Sequence, residues 1–388
     1  MLQKYEFNIW KYYIYQFFSG FYLIESIGIL FYLLAGISYF QLSTIEAVGL
    51  IAVLLLEIPS GAFADLIGRK YSVFIGLFLT GIELILIAYG FNYLFFLIAA
   101  FIGGIGGSLV SGADTALLYD SLKKIKKENK FNKILGKGRS IFYISVVIAT
   151  AIGSLIYTVS KTGVFYFNGL IFIIGAFFFL TMYEPRNNKN KFSLKNQLNH
   201  IIESFKYTMK HKKLIWIISF AIFSGAFISI FHNMLRQPYM QSIGINIAVF
   251  GILTSILFLA RSFVSYKSHD IEKKIGEKIS LYLVIILQAI AFFLMAVVNL
   301  YLAFVFVVII YCIWSYQEII MEGYSNRHMT SKQRATLISI QNFFRSITLV
   351  IAFLIVGWIT DLTSISYTLC ILSGASLIIG LFLLVNKK

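Results

Sequence analysis

The sequence predicts an all-α polytopic membrane protein of about twelve spans, and three observations carry that expectation. Of 388 residues, 59% are hydrophobic and 13% charged, about half the charged share of a soluble domain. The apolar residues gather in long continuous runs, which fit helices of roughly 17–25 residues and not the alternating ~10-residue strands of a membrane barrel. The basic residues fall almost wholly between alternate runs, on one side of the membrane.

Taken in order, the apolar cores are Tyr12–Ala35, Ile45–Ala64, Ser72–Tyr89, Leu94–Leu118, Ile141–Val159 and Val164–Met182, then Leu214–Leu235, Ile247–Val264, Ile279–Val298, Leu302–Ile320, Leu337–Trp358 and Tyr367–Val385. With the N-terminus inside, Lys4 and Lys11 precede the first span. Arg69 and Lys70 sit between spans two and three. The links 123–139 and 186–213 carry eight basic residues each, and Arg261, near the inner end of span eight, with Lys267, Lys273, Lys274 and Lys278 after it, adds five more. Arg327, Lys332 and Arg334 lie between spans ten and eleven, and Lys387 and Lys388 close the chain. That places 30 of the 33 Lys and Arg inside, against Lys161 and Arg236 outside and Arg345 within a span. The asymmetry puts both termini in the cytoplasm and supports an even number of spans.

The formal net charge of +16 is accounted for by these inner loops meeting anionic lipid headgroups, so membrane lipid is an expected partner and nucleic acid is not. Cys312 and Cys370 both lie in apolar runs and read as small core residues. Neither metal-ligand spacing nor a catalytic triad nor a nucleotide loop occurs, so neither a cofactor, a metal nor an enzyme activity is expected. Gly103–Gly107 is glycine-rich but lies inside a span. The first apolar segment runs on into another span, which argues against a cleaved signal peptide.

The longest hydrophilic stretch divides the chain into a bundle at 1–183, a central cytoplasmic linker at 184–213 and a second bundle at 214–388. Ser193–Lys210 has helical periodicity and reads as a basic amphipathic helix on the inner surface. The halves show a faint repeat. Gly68-Arg69-Lys70 follows span two and Gly276-Glu277-Lys278 follows span eight, while Arg139 opens span five and Arg334 opens span eleven. Duplication of a six-span unit is a recurrent architecture of transporters.

Between spans two and three the sequence reads Gly61-x-x-x-Asp65-x-x-Gly68-Arg69-Lys70, preceded by Glu57-Ile58-Pro59. Ser111-Gly112-Ala113-Asp114 and Ala116–Leu122 end span four, Arg334-Ala335-Thr336 opens span eleven, and Gly357-x-x-x-Asp361 closes it. This set resembles the major facilitator superfamily, within it the bacterial drug-efflux-like permeases, over nearly the whole chain. The chain departs from the drug/proton antiporters in lacking an arginine early in span four and a proline in the span-five stretch Ala149–Ser154. The resemblance implies two pseudo-symmetric six-helix bundles in a bacterial plasma membrane, working by alternating access as a monomer. It implies a small-molecule substrate, protons as coupling ion and export of an amphipathic drug or metabolite. Uptake by symport and a non-transporting sensor or docking protein are the alternatives.

The resemblance also implies that Gly61, Asp65, Gly68, Arg69 and Lys70, with Asp120 and Arg139, form a cytoplasmic conformational latch. Gly61 and Gly68 would permit close helix contact and a tight turn. Glu25 lies some 14 residues after Lys11 in span one, about 21 Å along a helix; a carboxylate at that depth is a candidate substrate or proton site. Asp114, on span four, is a second. Glu83 in span three is equally deep and reads as structural. His232 and Arg236 are four apart and share a helical face, with Arg236 snorkelling or gating at the outer end. On span ten Tyr311, Trp314, Gln317 and Glu318 recur at helical spacing and suit an amphipathic ligand or a packing face. Arg345 requires a carboxylate or water. Gly103, Gly107 and Gly112, with Ser108 and Ser111, mark span four as a closely packed helix.

Overall fold

The computed structural model describes residues 3–90, 92–185, 205–328 and 331–386, with side chains left out at 326–328 and 331–339. The amphipathic stretch Ser193–Lys210 and the Arg334 side chain therefore fall wholly or largely outside the described residues. Among those described, ten helices are long and apolar enough to cross a membrane, and a bent pair makes eleven. The apolar helix Gly163–Phe179, at 17 residues, stands where the sixth span is expected. The protein is an all-helical, multi-pass membrane protein.

Span one is broken. Helix α1 (Gln3–Gly20) ends mid-span, a 3-10 turn covers Leu23–Ser26, and α2 (Gly28–Leu34) resumes at an angle of 42°. Backbone groups in an apolar medium need partners, and side chains of neighbouring helices supply them. Ser145 Oγ donates to the Phe17 carbonyl at 2.6 Å and Asn168 Nδ2 to the Phe21 carbonyl at 2.8 Å. Ser26 Oγ donates to the Thr150 carbonyl at 3.3 Å. The estimate of Glu25's depth along an unbroken helix is thereby corrected, since Glu25 sits on the 3-10 turn.

Helix α3 (Tyr39–Ile67) and α4 (Arg69–Tyr89) are joined by Gly68 alone. Span four is also broken: α5 (Tyr93–Val110) stops at Ser111, and Gly112, at φ 75°, starts α6 (Ala113–Lys124). The expected single small-residue helix is thus two half-helices. Helix α7 (Phe131–Val159) begins ten residues before its apolar core, because Lys133, Lys137 and Arg139 can ride a helix beyond the bilayer. Helix α4 packs on α5 through Gly76 and Gly106 and on α8 (Gly163–Phe179) through Gly81 and Gly169; a Cβ at any of the four would lie within 2.8 Å of a facing carbonyl. Such small-residue seams let helix backbones approach in a membrane.

In the second half, α9 (Lys212–Ile230) passes through a π-helical turn at Phe231–Leu235 into α10 (Arg236–Ser242). Pro238, lacking an N–H, cannot serve the carbonyl of Met234, and the chain widens just before it. Helix α11 (Phe250–Ile275) and α12 (Glu277–Val297) are joined by Gly276 alone. Gly276 at φ 83° and Gly68 at φ 119° occupy matching turns, each followed by a 21-residue helix. Helices α13 (Phe304–His328), α14 (Ser331–Leu362) and α15 (Ile365–Val385) complete the chain.

Contacts divide the chain into two units. The first holds 1–37, 48–197 and 247–255; the second holds 38–47, 198–246 and 256–388. In the first, Thr150 Oγ1 meets Ser255 Oγ at 3.2 Å and Ser154 Oγ donates to the Ala248 carbonyl at 3.1 Å. In the second, the start of α3 is held by Asp361, at the end of α14. Its carboxylate accepts from Ser38 Oγ at 2.7 Å and from the amides of Tyr39 and Phe40 at 2.8 Å each.

Candidate functional site

The residues singled out in the first unit gather at helix ends. Asp65 is in the last turn of α3, and Arg69 and Lys70 open α4. Arg69 forms an ion pair with Asp120 on α6 through Nη1, while Asp65 stands 4.0 Å from its Nη2. Two cationic residues at a helix N-terminus oppose the helix dipole. Glu184, just after α8, offsets this: Oε1 accepts from the Arg69 amide at 2.6 Å and Oε2 from the Lys70 amide at 3.3 Å. A Cβ on Gly68 would lie 2.6 Å from Glu184 Oε2, so Gly68 serves both the turn and the cap. Asn8, fully buried on α1, ties the same region together, donating to Ser121 Oγ at 2.8 Å and to the Tyr183 carbonyl at 2.7 Å.

One expectation for this group needs correction. No heavy atom among the described residues lies within 4 Å of a Cβ built on Gly61, so no close helix contact is made there. Arg139 lies within electrostatic reach of Asp114 and Tyr12. Asp114 is the second residue of α6, placed there by the break at Gly112. Its Oδ1 accepts from the Thr115 amide at 2.6 Å and its Oδ2 from Tyr15 Oη at 3.2 Å. Glu83 fills the notch left by Gly103, where a Cβ would be 2.1 Å from its carboxyl carbon. Glu25 and Asp114 thus stand at two different helix breaks.

The second unit holds a denser polar cluster. The π turn presents His232, and α10 begins with Arg236. His232 Nδ1 is 2.5 Å from Tyr311 Oη, and Arg236 Nη1 donates to the same hydroxyl at 2.9 Å. The His232 and Trp314 rings meet edge to face at 5.1 Å. Arg261, on α11, stacks over the Trp314 ring at 4.0 Å and donates from Nη2 to Glu318 Oε2 at 2.6 Å. Gln317 turns to the packing side, donating to Ser224 Oγ at 2.9 Å and to the Ala221 carbonyl at 3.3 Å. Arg236 is only 1% exposed, so the snorkelling expected of it does not occur. Arg345, by contrast, is exposed on α14.

Three participants escaped the sequence reading. Arg261 counts by charge with the inner basic residues, yet it lies mid-helix, and its place inside the run Phe258–Val264 is the signal for that. Glu184 carries no signal beyond directly following span six. Tyr15 lies one helical turn from Lys11 but was hidden among aromatic neighbours.

A family model described as Major Facilitator Superfamily matches residues 12–316. Two crystal structures of the nucleoside transporter NupG, one of a point mutant, are similar to this chain with TM-scores of 0.80. Each covers 98% of this chain at 16% identity, with 100% and 99% of their own chains matched. At that identity the likeness is one of fold. No match was found among curated proteins.

Proposed function

Because the chain belongs to the Major Facilitator Superfamily, a family of transporters and not of enzymes, we propose that it moves a small amphipathic organic compound across a bacterial plasma membrane by alternating access, bound on the face made by His232, Arg236, Arg261, Tyr311, Trp314 and Glu318. The observation that carries this reading is the joining of these charged and aromatic groups from the π turn, α10, α11 and α13 within membrane-spanning helices. Charged side chains at that depth are costly and are retained where they handle a ligand or an ion. The aromatic rings supply an apolar face, and the guanidiniums and imidazole supply direction.

In this reading Glu25 and Asp114 are the proton carriers, coupling proton entry to export. Gly61, Asp65, Gly68, Arg69, Lys70, Asp120 and Arg139, with Glu184 as their cap, form the inner latch. The protein acts as a monomer. Proteoliposomes carrying an internal pH dye, challenged with a panel of amphipathic compounds, test this directly. A substrate should dissipate an imposed proton gradient, and Glu25→Gln should abolish that response while the protein still reconstitutes. Undiminished proton-coupled flux in the variant would sink the role of Glu25, and no solute movement in any compound would favour a sensor. The likeness to a nucleoside transporter favours a second reading, uptake of a metabolite; the sign of flux before and after an uncoupler separates it from export.

A further inference from the structure

The first unit gathers three lysines from the start of α1 and the start of α4 beside the chain that follows α8. Lys4 and Lys11 are two helical turns apart on one side of α1. Both ammoniums nevertheless turn to the ring of Tyr183, at 5.6 and 4.4 Å from its centre. Lys11 also donates to the Thr181 carbonyl, and Lys70, the second residue of α4, lies within its electrostatic reach. All three lysines are half-buried, unlike Lys133 and Lys137 on α7, which are exposed. Among the described residues none of the three forms an ion pair with a carboxylate. Glu184, beside Tyr183, directs its oxygens to two backbone amides, and Glu6 pairs with Lys127. Ammoniums carry donors only, and like charges held close repel. The Tyr183 ring offsets part of that repulsion, and an anion completes the compensation.

An exposed apolar strip runs beside these lysines. Phe7, Trp10 and Ile14 recur at spacings of three and four on α1, with exposures of 57%, 69% and 43%. Asn8 and Tyr15, on the other flank of Lys4 and Lys11, are buried. The lysines thus mark the border between the packed side of α1 and an open apolar side. On a membrane-spanning helix such a border suits a phosphate joined to a hydrocarbon chain.

We propose that Lys4, Lys11, Lys70 and Tyr183 form a binding site for the headgroup of an anionic phospholipid, its phosphate diester on the ammoniums and an acyl chain along Phe7, Trp10 and Ile14. The apolar strip favours a lipid over a soluble phosphate. A headgroup with an ammonium of its own sets a fourth cation among three lysines, so phosphatidylglycerol fits and phosphatidylcholine does not. The bound lipid ties α1 to the start of α4, next to the Arg69–Asp120 pair.

The test is the thermal stability of the delipidated full-length protein in detergent, titrated with phosphatidylglycerol, with phosphatidylcholine of the same chains, and with glycerol phosphate. Phosphatidylglycerol should stabilise it at concentrations at least about ten-fold lower than phosphatidylcholine, and glycerol phosphate should have no effect. Lys4→Gln and Lys70→Gln should each weaken the response to phosphatidylglycerol about five-fold, and Lys133→Gln, which removes the same charge elsewhere, should leave it unchanged. Trp10→Ala should weaken the response to both lipids. The melting temperature of each variant without lipid shows that it folds. Equal stabilisation by the two lipids, or by none, would overturn the proposal. So would a loss in Lys133→Gln as large as in Lys4→Gln, which would mean that diffuse charge attracts the lipid. Glycerol phosphate acting as well as phosphatidylglycerol would overturn it in favour of a soluble anion.

Discussion

The carbonyl oxygen of Leu23 stands 2.0 Å from where a Cβ on Gly153 would sit. The break in span one is thus seated directly on the backbone of α7, and only glycine admits it. The 3-10 turn that carries Glu25 depends on a residue 130 positions away.

Gly153→Ala should therefore destabilise the protein by about 1–3 kcal/mol, the range for an overpacked contact with backbone that cannot yield. A gain of up to about 1 kcal/mol in helix propensity is too small to offset it. Thermal unfolding in detergent checks this, with Gly136→Ala on the same helix as reference. Position 136 is open, so that variant should be as stable as the wild type or more so.

Gly68 carries a double constraint, a φ of 119° and the carboxylate of Glu184. Gly68→Ala should lower stability by about 1–3 kcal/mol. Glu184→Ala should lower it by about 0.5–2 kcal/mol, as loss of a helix cap does. Because the two substitutions disturb one contact, the double variant should fall short of the sum of the two. Full additivity in unfolding measurements would show that the cap and the turn act separately.

Asp361 takes three hydrogen bonds from the first residues leading into α3. Asp361→Ala should free that helix end at a cost of about 1–3 kcal/mol. A single cysteine placed at Phe40 should then react faster with a membrane-impermeant maleimide added from outside than the same cysteine beside Asp361. Equal rates would mean that other contacts hold the helix start.

Pro238 is the only residue type that denies the Met234 carbonyl its helical donor. Pro238→Ala should let the π turn at 231–235 relax to a regular helix and turn His232 away from Tyr311. Stability should hold or rise, while apparent substrate affinity falls about ten-fold, the equivalent of about 1.4 kcal/mol. Unchanged affinity together with a raised melting temperature would mean that the π turn is packing alone.

The apolar spans and the facilitator-type loop were legible in the chain, because hydrophobic length and a short motif are local properties read directly from the sequence. So were His232, Arg236, Tyr311, Trp314 and Glu318 as separate candidates, and the matching turns at Gly68 and Gly276. What tertiary structure alone decided is how the spans are interrupted and which charges meet. The breaks at Leu23–Ser26 and Gly112 exist because Gly153, Ser145, Asn168 and their neighbours satisfy or make room for backbone groups far away in sequence. Arg261 joins the polar cluster of the second unit, and not a basic loop, because Trp314 and Glu318 on another helix receive it. Burial of a polar group is favourable only with its partner in place, and a partner several spans distant leaves no mark on the residues around it.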